Sequence, residues 1–256
     1  MQDGGWSQGK ARRRVVKQRV MVVGGACAVG HALEDVLTER GFEVDMIRDE
    51  DIWKIGGRHW EGVAALILDT SVWWGSGDVC REGMGEYRQW LERAFEEGVR
   101  QVLVVSSAAT LGRECDEYGL YRMGEGQAWE DCVWQFEAQA YHYMSQGLGV
   151  WFALPTMVVG EGRNALYESW LKGGAVGGGD VVAADDVARG CVLVLGRGRP
   201  GRRYVLGGEW IEGGKGRGET SYLGGRRYEL EIAQGEIGYG IREDIKGRVL
   251  DEMRQI

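Results

Sequence analysis

Val20-Met21-Val22-Val23-Gly24-Gly25-Ala26-Cys27-Ala28-Val29-Gly30-His31-Ala32-Leu33 is the stretch whose reading decides the fold. Four apolar residues make a short buried strand, and a glycine-rich turn runs from Gly24 to Gly30. His31 to Arg40 then sets Ala32, Leu33, Val36 and Leu37 at helical spacing, and Gly41 ends the helix. In a strand, glycine turn and helix of this kind, backbone amides and the positive helix end can approach a pyrophosphate. The strict motif places glycine at the first, fourth and seventh positions, which here are Gly24, Cys27 and Gly30. Cys27 therefore brings a side chain to the point where backbone and phosphate lie closest. The expectation is a dinucleotide-type turn in which Gly24, Gly25, Cys27, Ala28, Val29 and Gly30 form the phosphate seat. The plainer alternative is a tight strand-to-helix turn with no ligand.

The same punctuation continues outward. Phe42 to Ile47 reads as a second strand, Ala64 to Leu68 as a third, and Gln101 to Val105 as a fourth. Glu86 to Gly98 forms an amphipathic helix with Tyr87, Trp90, Leu91 and Ala94 on one face. Trp129 to Gln146 reads as a long helix and Val150 to Leu154 as a fifth strand before Pro155. Apolar strands alternating with helices predict an α/β fold, a doubly wound, Rossmann-like parallel sheet covered on both faces. After Pro155 the signals weaken. Ala165 to Leu171 reads as a short helix, Val181-Val182 and Arg203 to Leu206 as strands, and Ile241 to Met253 as a surface helix. Asp185 or Asp186 is placed to cap a helix running to Leu195. The span from Gly207 to Gly225 reads as a loop. The organisation expected is a basic arm over 1–18, a Rossmann domain over 19–160 and a reduced C-terminal region over 161–256.

Composition narrows the classes. Of 256 residues, 44% are hydrophobic and 27% charged, a balance that excludes disorder as the main state. No run approaches the roughly 18 apolar residues of a membrane helix. The net charge of −8 argues against DNA binding and makes RNA an unfavoured partner. Five scattered cysteines, without a CxxC, and three dispersed histidines give little support to a zinc site or a disulfide framework, so no metal and an intracellular, reducing setting (cytoplasm or organelle matrix) are expected. The 44 glycines and 11 tryptophans, against 2 prolines and 4 phenylalanines, are read as a bias toward G-rich codons.

Several ordered stretches resemble the extended short-chain dehydrogenase/reductases of the sugar epimerase and dihydroflavonol reductase type. They are Val22 to Gly30, Glu97 to Val102, Ser106-Ser107-Ala108-Ala109-Thr110-Leu111-Gly112, Leu154-Pro155-Thr156-Met157-Val158-Val159-Gly160, Ala184-Asp185-Asp186-Val187-Ala188-Arg189-Gly190, and Arg203 to Glu209. The resemblance spans most of the chain between Val20 and Glu209, with a shortened substrate-binding part. It implies a nicotinamide dinucleotide across the strand ends, with Ser106 and Pro155 among the lining residues. It also implies a Ser that holds the substrate oxygen and a Tyr acting as acid or base, its pKa lowered by a Lys one turn on. Ser107 matches the Ser. The Tyr and Lys positions fall on Trp129 and Val133, and neither side chain can do that chemistry. Tyr118 and Arg122 share the four-residue offset, but they lie upstream of the helix and read first as surface loop residues.

Arg48, at the end of the second strand, favours the 2′-phosphate of NADP(H) over NAD(H), although Asp49, Glu50 and Asp51 follow it. Asp69 and Thr70 occupy the place under the ribose, or Asp69 caps local amides instead. Three function classes follow. The first is a noncatalytic accessory or structural subunit of a larger assembly, with protein partners. The second is an active NADP-dependent reductase or epimerase with a displaced base. The third is an RNA-associated interaction module of the same fold.

Overall fold

The computed structural model describes residues 18–57, 60–74, 77–111, 128–162, 165–172, 178–213 and 227–254. The basic arm before Gln18, the Tyr118–Arg122 pair and most of the Gly-rich span after Gly213 lie outside these residues.

Strands β1 (Arg19–Val23), β3 (Val63–Asp69), β4 (Gln101–Val105) and β5 (Val150–Pro155) carry the apolar runs of the sequence, and β2 (Glu43–Ile47), which includes Glu43 and Asp45, lies beside β1. They pair in parallel, with Val23 opposite Ile47 on one side and Leu68 on the other. A second sheet holds β6 (Met157–Val159), β7 (Gly179–Ala183) and, antiparallel to β7, β9 (Glu209–Ile211). β8 (Arg203–Leu206) returns to the main sheet beside β5, giving the order β2-β1-β3-β4-β5-β8. Residues after 160 therefore do not stand apart from the Rossmann sheet. They supply its last strand and one of its covering helices.

A doubly wound sheet of the 3-2-1-4-5-6 order carries a further strand outside the second. Among the described residues nothing pairs with the outer edge of β2. The chain instead returns from β2 to β3 through two short 3-10 turns, Asp49–Asp51 and Ile55–Gly57.

Helices α1 (Ala28–Glu39) and α5 (Ala184–Arg197) cover one face, where Leu33, Leu37, Val187 and Cys191 pack on Val22, Ile67 and Leu103. Helices α2 (Gly77–Glu96) and α3 (Ala128–Ser145) cover the other through Tyr87, Trp90, Leu91, Phe136 and Ala140. Each burial follows from period 3.6 on the helix against the continuous apolar strands of a two-faced parallel sheet. Several of the tryptophans are core residues with partners: Trp90 Nε1 donates to Ile52 O (3.0 Å) and Trp151 Nε1 to Gly198 O (2.9 Å). Whatever enriched them in the sequence, the fold uses them where Phe would more often sit.

Three local expectations change. Neither Asp185 nor Asp186 caps α5, whose N-cap is Ala183 with no side-chain bond. Asp186 is buried and instead accepts from the backbone amides of Arg242 (3.0 Å) and Glu243 (3.1 Å), clasping the C-terminal tail. That tail runs without helix to α6 (Lys246–Arg254), so the expected helix starts five residues late; α4 (Ala165–Lys172) packs near it through Tyr167, whose hydroxyl donates to Glu252 (2.8 Å). Cys27 and Cys191 are free and buried, whereas Cys132 is disulfide-bonded, where the scattered cysteines give little support to a disulfide framework. Sequence spacing says nothing of which Cβ atoms meet in space. Among the described residues no helix is long and apolar enough to cross a membrane, and no three His, Cys, Asp or Glu side chains group as metal ligands.

Candidate functional site: the glycine turn and the facing side of α3

The turn after β1 is fixed to β2, because the amides of Gly24 and Gly25 both donate to Ile47 O (3.0 and 3.1 Å). Two positions admit glycine alone. Gly24 has φ +116°, and a Cβ on Gly30 would lie 2.1 Å from Gly24 O. The amides of Ala28 and Val29 fall in the first turn of α1, where helix geometry leaves N–H groups without intrahelical acceptors. Arg48 follows β2 with its stem over Gly25, where a Cβ would lie 3.3 Å from Arg48 Cγ; its side chain is exposed. The structure thus brings Arg48 to the turn.

The remaining residues of the seat are engaged within the protein. Cys27 is buried, and its Sγ accepts from Ser71 Oγ (3.2 Å) in the turn that follows β3. Asp69 is buried against Gly24, and its Oδ1 accepts from Ser71 N (3.0 Å), capping the 3-10 turn Thr70–Trp73. Of the two readings of Asp69, the local cap is the one its contacts show. Thr70 Oγ1 donates to Val105 O (2.9 Å) and accepts from Trp74 Nε1 (3.2 Å), tying the end of β3 to that of β4.

Beyond β4 lies a buried polar cluster that the sequence analysis did not single out. Glu137, on α3 and fully buried, accepts from Ser106 Oγ (2.5 Å). Arg203 Nε lies 3.0 Å from Glu137 Oε2, and Arg203 also donates to Thr110 O (3.1 Å). Thr110 Oγ1 lies 2.8 Å from Glu137 Oε1 and 2.7 Å from Ser107 O, so its single proton serves one or the other. The guanidinium also sits 5.5 Å from the centre of the Trp134 ring. Ser107, the matched serine, is buried and its Oγ accepts from Ala109 N (3.2 Å). Pro155, at the end of β5, is buried as well.

Val133 is fully buried on α3, one turn before Glu137. A signal for the cluster was available: Val133, Phe136 and Ala140 give the buried stripe of α3, and Glu137 is an acid set inside it. A buried acid must find a cation or hydrogen-bond donors. Its partner, Arg203, was too distant in sequence to be read.

Several described tyrosines hold their protons more tightly than usual. The hydroxyl of Tyr87 is buried within an aromatic group with Trp73 and Phe136, and burial, then the Glu137 charge, push its pKa well up. Tyr141 is pushed up to about 12, by burial first, then Glu137, against the lowering effect of Arg203. Tyr167, Tyr204 and Tyr239 move upward too, each chiefly through burial. A tyrosine serving as general base needs the opposite shift.

This architecture is the extended short-chain dehydrogenase/reductase fold, built on a Rossmann-like parallel sheet. No family model matches the sequence, and no curated protein matches it. Among solved structures it is similar to a nucleoside-diphosphate-sugar epimerase from Pseudomonas aeruginosa (18% identity, 93% of this chain and 97% of that one, TM-score 0.70). It is also similar to UDP-glucuronic acid 4-epimerase from Bacillus cereus in complex with NAD (13%, 93% and 97%, 0.68). A third is vestitone reductase from alfalfa (15%, 93% and 97%, 0.67). At such identities the likeness is one of fold.

Whether the residues fit a nicotinamide dinucleotide divides along the groove. Gly24, Gly30 and Arg48 fit the adenosine side. Cys27 with Ser71, and the buried Asp69 carboxyl beside Gly24, do not fit the pyrophosphate.

Proposed function

We propose that this protein is a noncatalytic relative of the extended short-chain dehydrogenase/reductases, acting as an accessory or structural subunit of a larger assembly. The observation that carries the reading is Val133: where the resemblance requires a lysine, an apolar side chain is sealed in the core. The upward shifts of Tyr87, Tyr141 and Tyr167 support it, since a raised pKa opposes service as a general base near neutral pH. The polar groups around Ser107 are engaged with one another, Glu137 with Ser106 and Arg203, and Arg203 with Thr110. Such a knot ties α3 to the sheet. Any nucleotide preference resides in Arg48, which favours a 2′-phosphorylated adenosine and so NADP(H) over NAD(H).

Two measurements test this reading. Purified protein should give no hydride transfer or epimerisation with sugar nucleotides, ketones or flavonoids, and in native extract it should migrate well above the size of a monomer or simple homodimer. Turnover abolished by Tyr118→Phe but surviving in Ser107→Ala would establish the displaced-base enzyme instead. Migration as a free monomer would remove the assembly.

A further inference from the structure

The misfit at the glycine turn has a specific geometry. Cys27 stands at the N-cap of α1, and Ser71 stands in the turn that leaves β3. β1 and β3 are neighbours, so these two residues lie on opposite banks of the groove over the strand ends. The 3.2 Å contact from Ser71 Oγ to Cys27 Sγ crosses that groove. The loop after β6 closes the same place from another side: a Cβ on Gly162 would lie 3.0 Å from Ala26 O and 3.1 Å from the Cys27 carbonyl carbon. Gly160 likewise approaches Ala28, where its Cβ would come within 3.4 Å of Ala28 Cβ. In consequence the protein's own atoms cover Cys27 and Ala28 to 2% exposure and Val29 to 5%. Beside them sits the buried Asp69 carboxyl, whose oxygens a pyrophosphate would have to face at reduced dielectric. Arg48, one step along the turn, is outside this closure and exposed.

We infer that the Cys27–Ser71 contact shuts the phosphate seat to a dinucleotide, and that the site takes instead a 2′-phosphorylated adenosine mononucleotide, held at Arg48. The middle position of the turn is the gate. A glycine there leaves room for a pyrophosphate, and a thiol there both fills the room and bonds across it. The inference depends on the turn being a nucleotide seat, not on the protein being noncatalytic.

The test is calorimetric titration of the full chain with adenosine 2′-monophosphate and with NADPH, without any turnover readout. Wild type should bind NADPH no more tightly than adenosine 2′-monophosphate, and Arg48→Ala should weaken the latter about tenfold. Cys27→Gly should tighten NADPH at least about tenfold while leaving the mononucleotide unchanged. Ser71→Ala, which removes only the bond across the groove, should move NADPH in the same direction by less. Cys27→Ser should stay closed. NADPH binding to wild type about tenfold tighter than the mononucleotide, or unchanged NADPH affinity in both Cys27→Gly and Ser71→Ala, overturns the closure. Failure of the mononucleotide to bind wild type overturns the half-site.

Discussion

At the turn after β1 the chain keeps glycine where the backbone closes on itself, at Gly24 and Gly30, and alters only the position between them. Along α3 it keeps the helix and its apolar stripe, while the residues at both positions that the resemblance assigns to proton transfer are of another kind, Trp129 and Val133. The two regions face the same end of the sheet under different constraints. Glycines at the turn are demanded by the fold, because a Cβ at Gly30 would run into Gly24 O. Proton-transfer residues are demanded by a reaction and by nothing else. Once that demand lapses, packing can claim their places, and the polar groups that remain can be consumed by one another. A glycine turn therefore testifies to architecture, whereas only the side chains facing it testify to chemistry.

The sharpest way to break this comparison is Gly30→Ala. A Cβ 2.1 Å from a backbone oxygen cannot be accommodated by a rotamer change. The expected loss exceeds about 4 kcal/mol in chemical denaturation, or soluble protein is lost altogether. A variant that folds with near-normal stability would show that the turn is not under the constraint claimed.

Next in size is Glu137→Ala, which removes the buried carboxylate that faces the Arg203 guanidinium. The expected cost is about 3–5 kcal/mol. A double replacement of Glu137 and Arg203 by leucine should recover most of it, because removing both charges removes the desolvation penalty. If the single variant costs less than about 1 kcal/mol, the cluster is not the tie between α3 and the sheet that its geometry indicates.

The smallest effect concerns Asp180 on β7, which accepts from Thr156 Oγ1 (3.0 Å) and Gly208 N (2.9 Å). Burial pushes its pKa up against the lowering influence of these bonds. A carboxyl that holds its proton more tightly when folded stabilises most below its unfolded value. That contribution is lost as pH rises through the raised value. Relative to Asp180→Asn, the wild type should therefore lose a few degrees of Tm between the ordinary aspartate range and neutral pH. Parallel pH profiles for the two proteins would remove the assignment.

Much of this fold could be read in the sequence because parallel strands buried on both faces are uninterrupted apolar runs. β1, β3, β4 and β5 follow that rule, while β2, with Glu43 and Asp45 and only Ile47 buried, does not. Less could be read wherever the decisive contact joins distant residues. Arg203 meets Glu137, and Asp186 meets the amides of Arg242 and Glu243, with no local pattern to announce either. Asp186 was misread for a physical reason: an acid in the first turn of a helix is equally well placed to cap its own helix or to receive amides from elsewhere. The site was half legible. Gly24, Gly30 and Arg48 belong to a backbone motif with fixed spacing. The partner of Cys27 depends on where the turn after β3 comes to lie.

The measurement that bears most directly on the central claim is solvent-deuterium exchange into a bound sugar nucleotide, run with NADPH on wild type and on Cys27→Gly. The variant opens the phosphate seat, so a blocked cofactor cannot account for silence. The account predicts no exchange above background in either protein, because it assigns the Tyr and Lys positions to Trp129 and Val133. Exchange in Cys27→Gly that is lost on adding Tyr118→Phe would contradict it and restore a catalytic site to this fold.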